Sequence, residues 1–207
     1  MALKALGFNC SLKSAGAREK SSTQALLEDF FSELKKAGAP GEILRAVDFN
    51  IKPGVESDEG DGDEWPRLRR QIVAADILVI GTPIWLGQPS SVSKRVLERM
   101  DAFLEEKDSR GRMPSYGKVA LAVVVGNEDG AHHSGAEINQ ALFEVGFTIP
   151  AGGSTYWVGE AMGSKEYKSF KRPPKKVGDW NRMLASNTVH LAQLLKANGY
   201  PGIKGGR

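Results

Sequence analysis

Three features of the 207-residue sequence predict an α/β domain with a parallel sheet covered on both faces. Short apolar runs alternate with segments of helical periodicity. The most apolar run, Val119 to Val125 (VALAVVV), has no polar face. No internal repeat, linker or second domain interrupts the pattern, so residues 1–207 read as one domain. A strand that is apolar on both sides is buried on both sides, and strand–helix alternation implies parallel strands joined by right-handed crossovers. Five strands suit the order 2-1-3-4-5, whose ligand crevice lies beyond the carboxyl ends of the strands where the order reverses.

Each element has its own signal. Leu3 to Asn9 is strand one, followed by a polar loop with Ser11, Lys13, Ser14, Gly16 and Arg18. From Ser21, Leu26, Leu27, Phe30, Phe31 and Leu34 recur at helical spacing, and Ser21 with Gln24 matches a capping box, so helix one runs from near Ser21 to Gly38. Glu42 to Val47 is a short second strand. The Gly- and Asp-rich stretch Pro53 to Glu64 is a loop, and Trp65 to Ala74 is a helix.

Ile77 to Ile80 is strand three, and its loop continues from Thr82 to Pro89. Helix three follows, with Val92, Val96, Met100 and Phe103 on one stripe. Val119 to Val125 is strand four. Ser134 and Glu137 at capping-box spacing announce a helix carrying Ile138, Leu142 and Val145. Thr148 to Val158 reads as a strand broken by Pro150, Gly152 and Gly153. A mobile basic loop over 160–176 leads to a last helix over 177–198, with Leu184, Leu191, Leu194 and Leu195 inward.

Composition bounds the function. Hydrophobic residues make up 41% and charged residues 26%, which is ordinary for a globular protein, and a net charge of +3 is too small to argue for nucleic acid. An acidic cluster (Glu56 to Glu64) and a basic one (Lys165 to Lys176) read as solvated segments. The single cysteine, Cys10, permits neither an intramolecular disulfide nor a cysteine-ligated cluster. The N-terminus reads as a strand rather than a signal peptide, and nothing approaches membrane-spanning length. The expectation is a cytoplasmic enzyme or carrier with no membrane partner.

Three loops end at the predicted crevice. The first offers Ser11, Ser21, Ser22 and Thr23 hydroxyls, the Lys13 cation and the free amides of a helix start, which together suit a phosphate. The alternative is an N-cap at Ser21 beside a soluble turn, since neither a Walker lysine pattern nor G-x-G-x-x-G is present. In the second, Thr82, Pro83, Ile84, Trp85, Leu86 and Gly87 place a rigid turn, an apolar wall and an indole at a strand end, which suits a flat ring system. Trp85 could instead serve the core or a subunit interface. In the third, Gly126, Asn127, Glu128, Asp129 and Gly130 offer turn amides and a side-chain amide. His132 and His133 are adjacent without a third ligand at suitable spacing, so no metal is expected.

These residues resemble the NAD(P)H-dependent FMN reductases, flavodoxin-like flavoproteins that also include the iron–sulfur flavoproteins. Cys10-Ser11-Leu12-Lys13 is similar to the family's Gly-Ser-Pro-Arg start, and Ser21-Ser22-Thr23 to its Ser-Asn-Thr. Thr82 to Ser90 resembles its flavin loop, followed by Lys94 and Arg99-Met100-Asp101. The likeness runs from strand one to about Gly159.

The resemblance implies a flavodoxin-like sandwich with FMN phosphate on Ser11, Lys13, Ser21, Ser22 and Thr23, and the ring against Pro83 to Gly87 and Gly126 to Gly130. It implies NADPH or NADH as co-substrate, a small-molecule electron acceptor such as free flavin or a quinone, and a homodimer or homotetramer. FMN would carry the hydride chemistry, with no catalytic side chain needed. Lys13 keeps the charge of the family's arginine and loses its bidentate fork. The compact cysteine motif of the iron–sulfur branch is absent, so flavin without a cluster is expected. Two other classes share the fold: a flavodoxin-type electron shuttle, for which +3 is an unusual charge, and a binding protein that has lost FMN.

Overall fold

The computed structural model describes residues 2–203. Five parallel strands form the sheet: β1 (Ala5–Asn9), β2 (Gly41–Arg45), β3 (Ile77–Trp85), β5 (Val119–Gly126) and β6 (Ser154–Val158), in the order β2-β1-β3-β5-β6. This is the expected doubly wound order, renumbered because a two-residue strand, β4 (Gln88–Pro89), folds back antiparallel on the end of β3.

Alternation along the strands divides the core in two. Leu6, Phe8, Leu78, Ile80, Ala122 and Val124 face α2 (Trp65–Ala74), α3 (Ser91–Arg99) and α4 (Ala131–Glu144), meeting Leu68, Ile72, Val96, Ile138 and Leu142. Ala5, Ile77, Val79, Leu121 and Val123 face α1 (Ser22–Lys36) and α5 (Lys175–Ala197), meeting Leu26, Leu27, Phe30, Leu184 and Val189. Both sets are apolar, which is why β5 shows no polar face. Gly81 lets α1 sit close, since a Cβ there would lie 2.5 Å from Leu27.

Several boundaries differ from the sequence pattern. β3 does not stop at Ile80 but continues through Thr82 to Trp85. α4 begins at Ala131 after Gly130, and Ser134 lies buried within it instead of capping it. Only Ser154–Val158 of the broken strand pairs with β5, while Thr148 makes an isolated bridge to Val119. α5 starts at Lys175 behind Pro174, and its buried stripe is Leu184, Ala185, Thr188, Val189 and Ala192, with Leu194 49% exposed.

A buried ion pair fixes the acidic loop. Arg99 donates to Asp63 at 2.7 Å and to the carbonyls of Lys52 and Glu56 at 3.0 and 2.9 Å, and both side chains are fully buried. Among the described residues no helix is long and apolar enough to cross a membrane.

Candidate functional site

A cleft of about 560 Å³ opens at the carboxyl ends of β1, β3 and β5, where the strand order reverses. Three loops and the segment after β6 enclose it.

The first loop is built around the start of α1. Ser21 caps the helix by accepting from the Gln24 amide at 3.2 Å. Gln24 does not reach back to close the capping box. Its side chain accepts from Asn9 Nδ2 at 2.8 Å, and Asn9 Oδ1 in turn accepts from the Ser11 amide at 2.9 Å. Ser11, Ser21 and Thr23 are thereby held as buried hydroxyls beside Ser22 and Lys13 in the cleft lining. The amides of the first helical turn have no intrahelical acceptor. Lys13 pairs with Glu19 at 2.6 Å, and Arg45 holds the loop by donating to the Lys13 carbonyl at 3.0 Å.

The second loop is a hairpin. Ile84 pairs with Pro89 and Trp85 with Gln88 across the Leu86–Gly87 turn, whose φ values are +54° and +75°. Two positive φ angles match the twist of a two-residue hairpin, but they strain a leucine. The hairpin presents Pro83, Ile84, Trp85 and Leu86 to the cleft, with Trp85 54% and Leu86 91% exposed. Thr82 is placed elsewhere. It is fully buried, accepts from the Ser90 amide at 3.0 Å and joins Ser90 and Ser93 in a hydroxyl cluster that caps α3 and binds the Cys10 carbonyl.

The third loop brings Gly126, Asn127 and Glu128 to the cleft. Gly126 must be glycine because a Cβ would lie 2.8 Å from Ile84. Asp129, Gly130 and Gly87 do not line the cleft: Asp129 Oδ1 accepts from the Gly130 amide at 2.7 Å and shapes the turn, and Gly130 packs on Gly87. His132 and His133 turn outward to Tyr156 and Gln88, at 3.1 and 3.0 Å.

The fourth wall, Trp157, Gly163, Ser164, Glu166 and Tyr167, has no counterpart in the sequence-based site. Trp157, Tyr167 and Phe170 stack edge-on with centroids 5.6 to 5.9 Å apart. The segment crosses from the third loop to the first. The Met162 amide donates to the Asn127 carbonyl at 3.0 Å, Asn127 Nδ2 donates to the Gly163 carbonyl at 2.8 Å, and Ser22 Oγ donates to Glu166 at 3.1 Å. Residues 160–176 thus include a short 3-10 turn, Tyr167–Ser169, with Tyr167 buried. Trp157 was the available signal in the sequence, an indole at the end of the last strand.

Chemically, the cleft suits a planar ligand with an anionic tail. Indole and proline surfaces line the cleft together with hydroxyls, the start of a helix and a lysine. One of these hydroxyls, that of Ser22, already donates to an anionic oxygen, that of Glu166. The one thiol of the chain is no nucleophile for this cleft: burial pushes the Cys10 group well above its ordinary pKa, and its side chain has no exposure.

Comparison with known proteins gives the family and the fold. A family model described as NADPH-dependent FMN reductase matches residues 3–162. The 8-demethyl-8-aminoriboflavin-5'-phosphate synthase of Streptomyces davaonensis is 34% identical, over 97% of this chain and 81% of that protein. The divalent metal cation transporter MntH of Mycobacterium bovis is 36% identical over 94% of this chain, which spans only 29% of that longer protein. Among solved structures, RosB with bound 8-demethyl-8-formylriboflavin-5'-phosphate superposes with a TM-score of 0.87 at 33% identity, covering 97% of this chain and 82% of the other. An archaeal flavodoxin, at 11% identity over 92% of this chain and 99% of its own, shares the fold with a TM-score of 0.58.

Proposed function

This chain belongs to the NADPH-dependent FMN reductase family, and we propose that its cleft holds FMN to pass electrons from NADPH or NADH to a second small-molecule acceptor. One observation carries this: a single cleft unites the hydroxyl-rich start of α1 with the Trp85 hairpin and the Asn127 turn. FMN supplies the hydride chemistry when bound. The protein positions and shields. Ser11, Ser21, Ser22, Thr23 and the first amides of α1 would hold the phosphate, with Lys13 adding charge. Pro83, Ile84, Trp85 and Trp157 would wall the ring, and Gly126, Asn127 and Glu128 would meet its polar edge. Anaerobic titration of the FMN-loaded protein with NADPH and then NADH tests this. Bleaching of the flavin absorbance is expected, and no bleaching by either donor would leave an electron shuttle instead.

The names of the relatives motivate one candidate acceptor and a second candidate activity. A segment alike to this chain lies within a polypeptide named as a divalent metal cation transporter, which favours a metal ion among the acceptors. NADPH-dependent reduction of chelated ferric iron, with and without FMN, measures that. The second activity would treat FMN as substrate; it is prompted by the synthase, named for making a modified riboflavin phosphate, and by the modified riboflavin phosphate bound as an intermediate to RosB. Mass analysis of flavin recovered after aerobic incubation with FMN and an amino donor distinguishes them: unchanged FMN removes the synthase activity. The protein would act in the cytoplasm as a homodimer or homotetramer. Exposed Trp85, Leu86 and Met162 support such an assembly, and sedimentation would measure it.

A further inference from the structure

Glu166 lies beyond residue 162, where the family match ends, yet it reaches the phosphate end of the cleft. Its carboxylate accepts from the Ser22 hydroxyl at 3.1 Å, and the same hydroxyl accepts from the Lys168 amide at 3.3 Å. Lys168 Nζ sits 3.0 Å from Glu166 and 3.4 Å from Glu19, and Glu19 pairs with Lys13 at 2.6 Å. Lys13, Lys168 and a hydroxyl suited to a phosphate are therefore already engaged by the chain's own carboxylates.

A phosphate monoester carries roughly one and a half to two negative charges at neutral pH. It cannot share Ser22 with a carboxylate without repulsion at hydrogen-bond range. The neighbouring backbone has little freedom to withdraw, because Tyr167 is buried and donates to Asp29 at 2.6 Å. The Glu166 side chain does have that freedom, being 42% exposed.

We propose that Glu166 is an internal competitor for the flavin phosphate, holding Ser22 in the free protein and rotating into solvent when a 5'-phosphorylated flavin binds. The proposal rests on the cleft being the FMN site. Its consequence is a weakened grip on the phosphate, so FMN exchanges readily, as required if flavin leaves the protein reduced or altered.

Dissociation constants for FMN and riboflavin, read by flavin fluorescence in the full chain, in Glu166→Gln and in Glu166→Ala, test this, with melting curves verifying that each variant folds. Removing one like charge from a partly solvated site is expected to tighten FMN by about three- to tenfold in both variants. Riboflavin, which lacks the phosphate, should change less than twofold. Unchanged or weaker FMN binding in both variants, or an equal gain for riboflavin, would overturn the competitor role while leaving the FMN site intact. Failure of all three proteins to bind FMN would overturn the site itself.

Discussion

The backbones of Gly87 and Gly130 meet: a Cβ placed on Gly130 would lie 2.6 Å from the Gly87 carbonyl oxygen, and Gly130 has φ near +121°. The hairpin loop and the turn before α4 are thus stacked backbone on backbone, which fixes the distance between two walls of the cleft.

Gly130→Ala should therefore both strain the turn and push the loops apart. About 2–3 kcal/mol of stability should be lost, with weaker FMN binding. Gly60→Ala is the control, since Gly60 also has a positive φ, +84°, but no atom within 4 Å of the point a Cβ would occupy. It should cost about 1 kcal/mol and leave FMN affinity alone. Urea unfolding and flavin titration measure both.

The Tyr167–Asp29 hydrogen bond predicts a dependence on alkaline pH. Burial, and then the bond to Asp29, push the Tyr167 phenol above its ordinary value. A raised phenol pKa contributes stability in full below the unfolded value of about 10 and loses it as pH rises above that. The melting temperature of the native protein should fall more steeply above that pH than that of Tyr167→Phe. At neutral pH the substitution should cost about 1–2 kcal/mol.

Acid acts on a different pair. Burial tends to raise the Asp63 carboxyl, but hydrogen bonds from Arg99 and from the Glu59, Trp65 and Lys52 amides outweigh it and hold the pKa well below the ordinary carboxylate value. Its stabilisation is full above the unfolded value of about 3.9 and disappears as pH falls through the folded one. Arg99→Met, which strands a buried carboxylate, should cost about 3–5 kcal/mol near neutral pH. Asp63→Asn should flatten the acid limb of a stability–pH curve measured in urea.

Trp85 and Trp157 should separate binding from folding. Trp85 is half exposed, so Trp85→Ala should leave the melting temperature unchanged while weakening FMN by roughly tenfold, the loss of one aromatic contact. Trp157 stacks on Tyr167 and Phe170, so Trp157→Ala should lower both affinity and melting temperature. Unchanged FMN affinity in both variants would show that the indoles do not wall the flavin.

Apolar periodicity, with cap and turn residues, determined which strands and helices form, because a residue's burial on one face repeats locally along the chain, and their alternation determined the parallel order. Ser21, Ser22, Trp85 and Asn127 were legible for the same reason: each follows a strand that the pattern identifies. Tertiary structure decided what depends on partners distant in sequence. Thr82 turned inward because Ser90 and Ser93 come to meet it, and position 130, just before α4, takes a glycine because its backbone packs on Gly87. Of the fourth wall only Trp157, an indole at a strand end, left a local signal. Glu166 reaches Ser22 across 144 positions of sequence, and no local period records a contact that only the folded sheet brings within 3.1 Å.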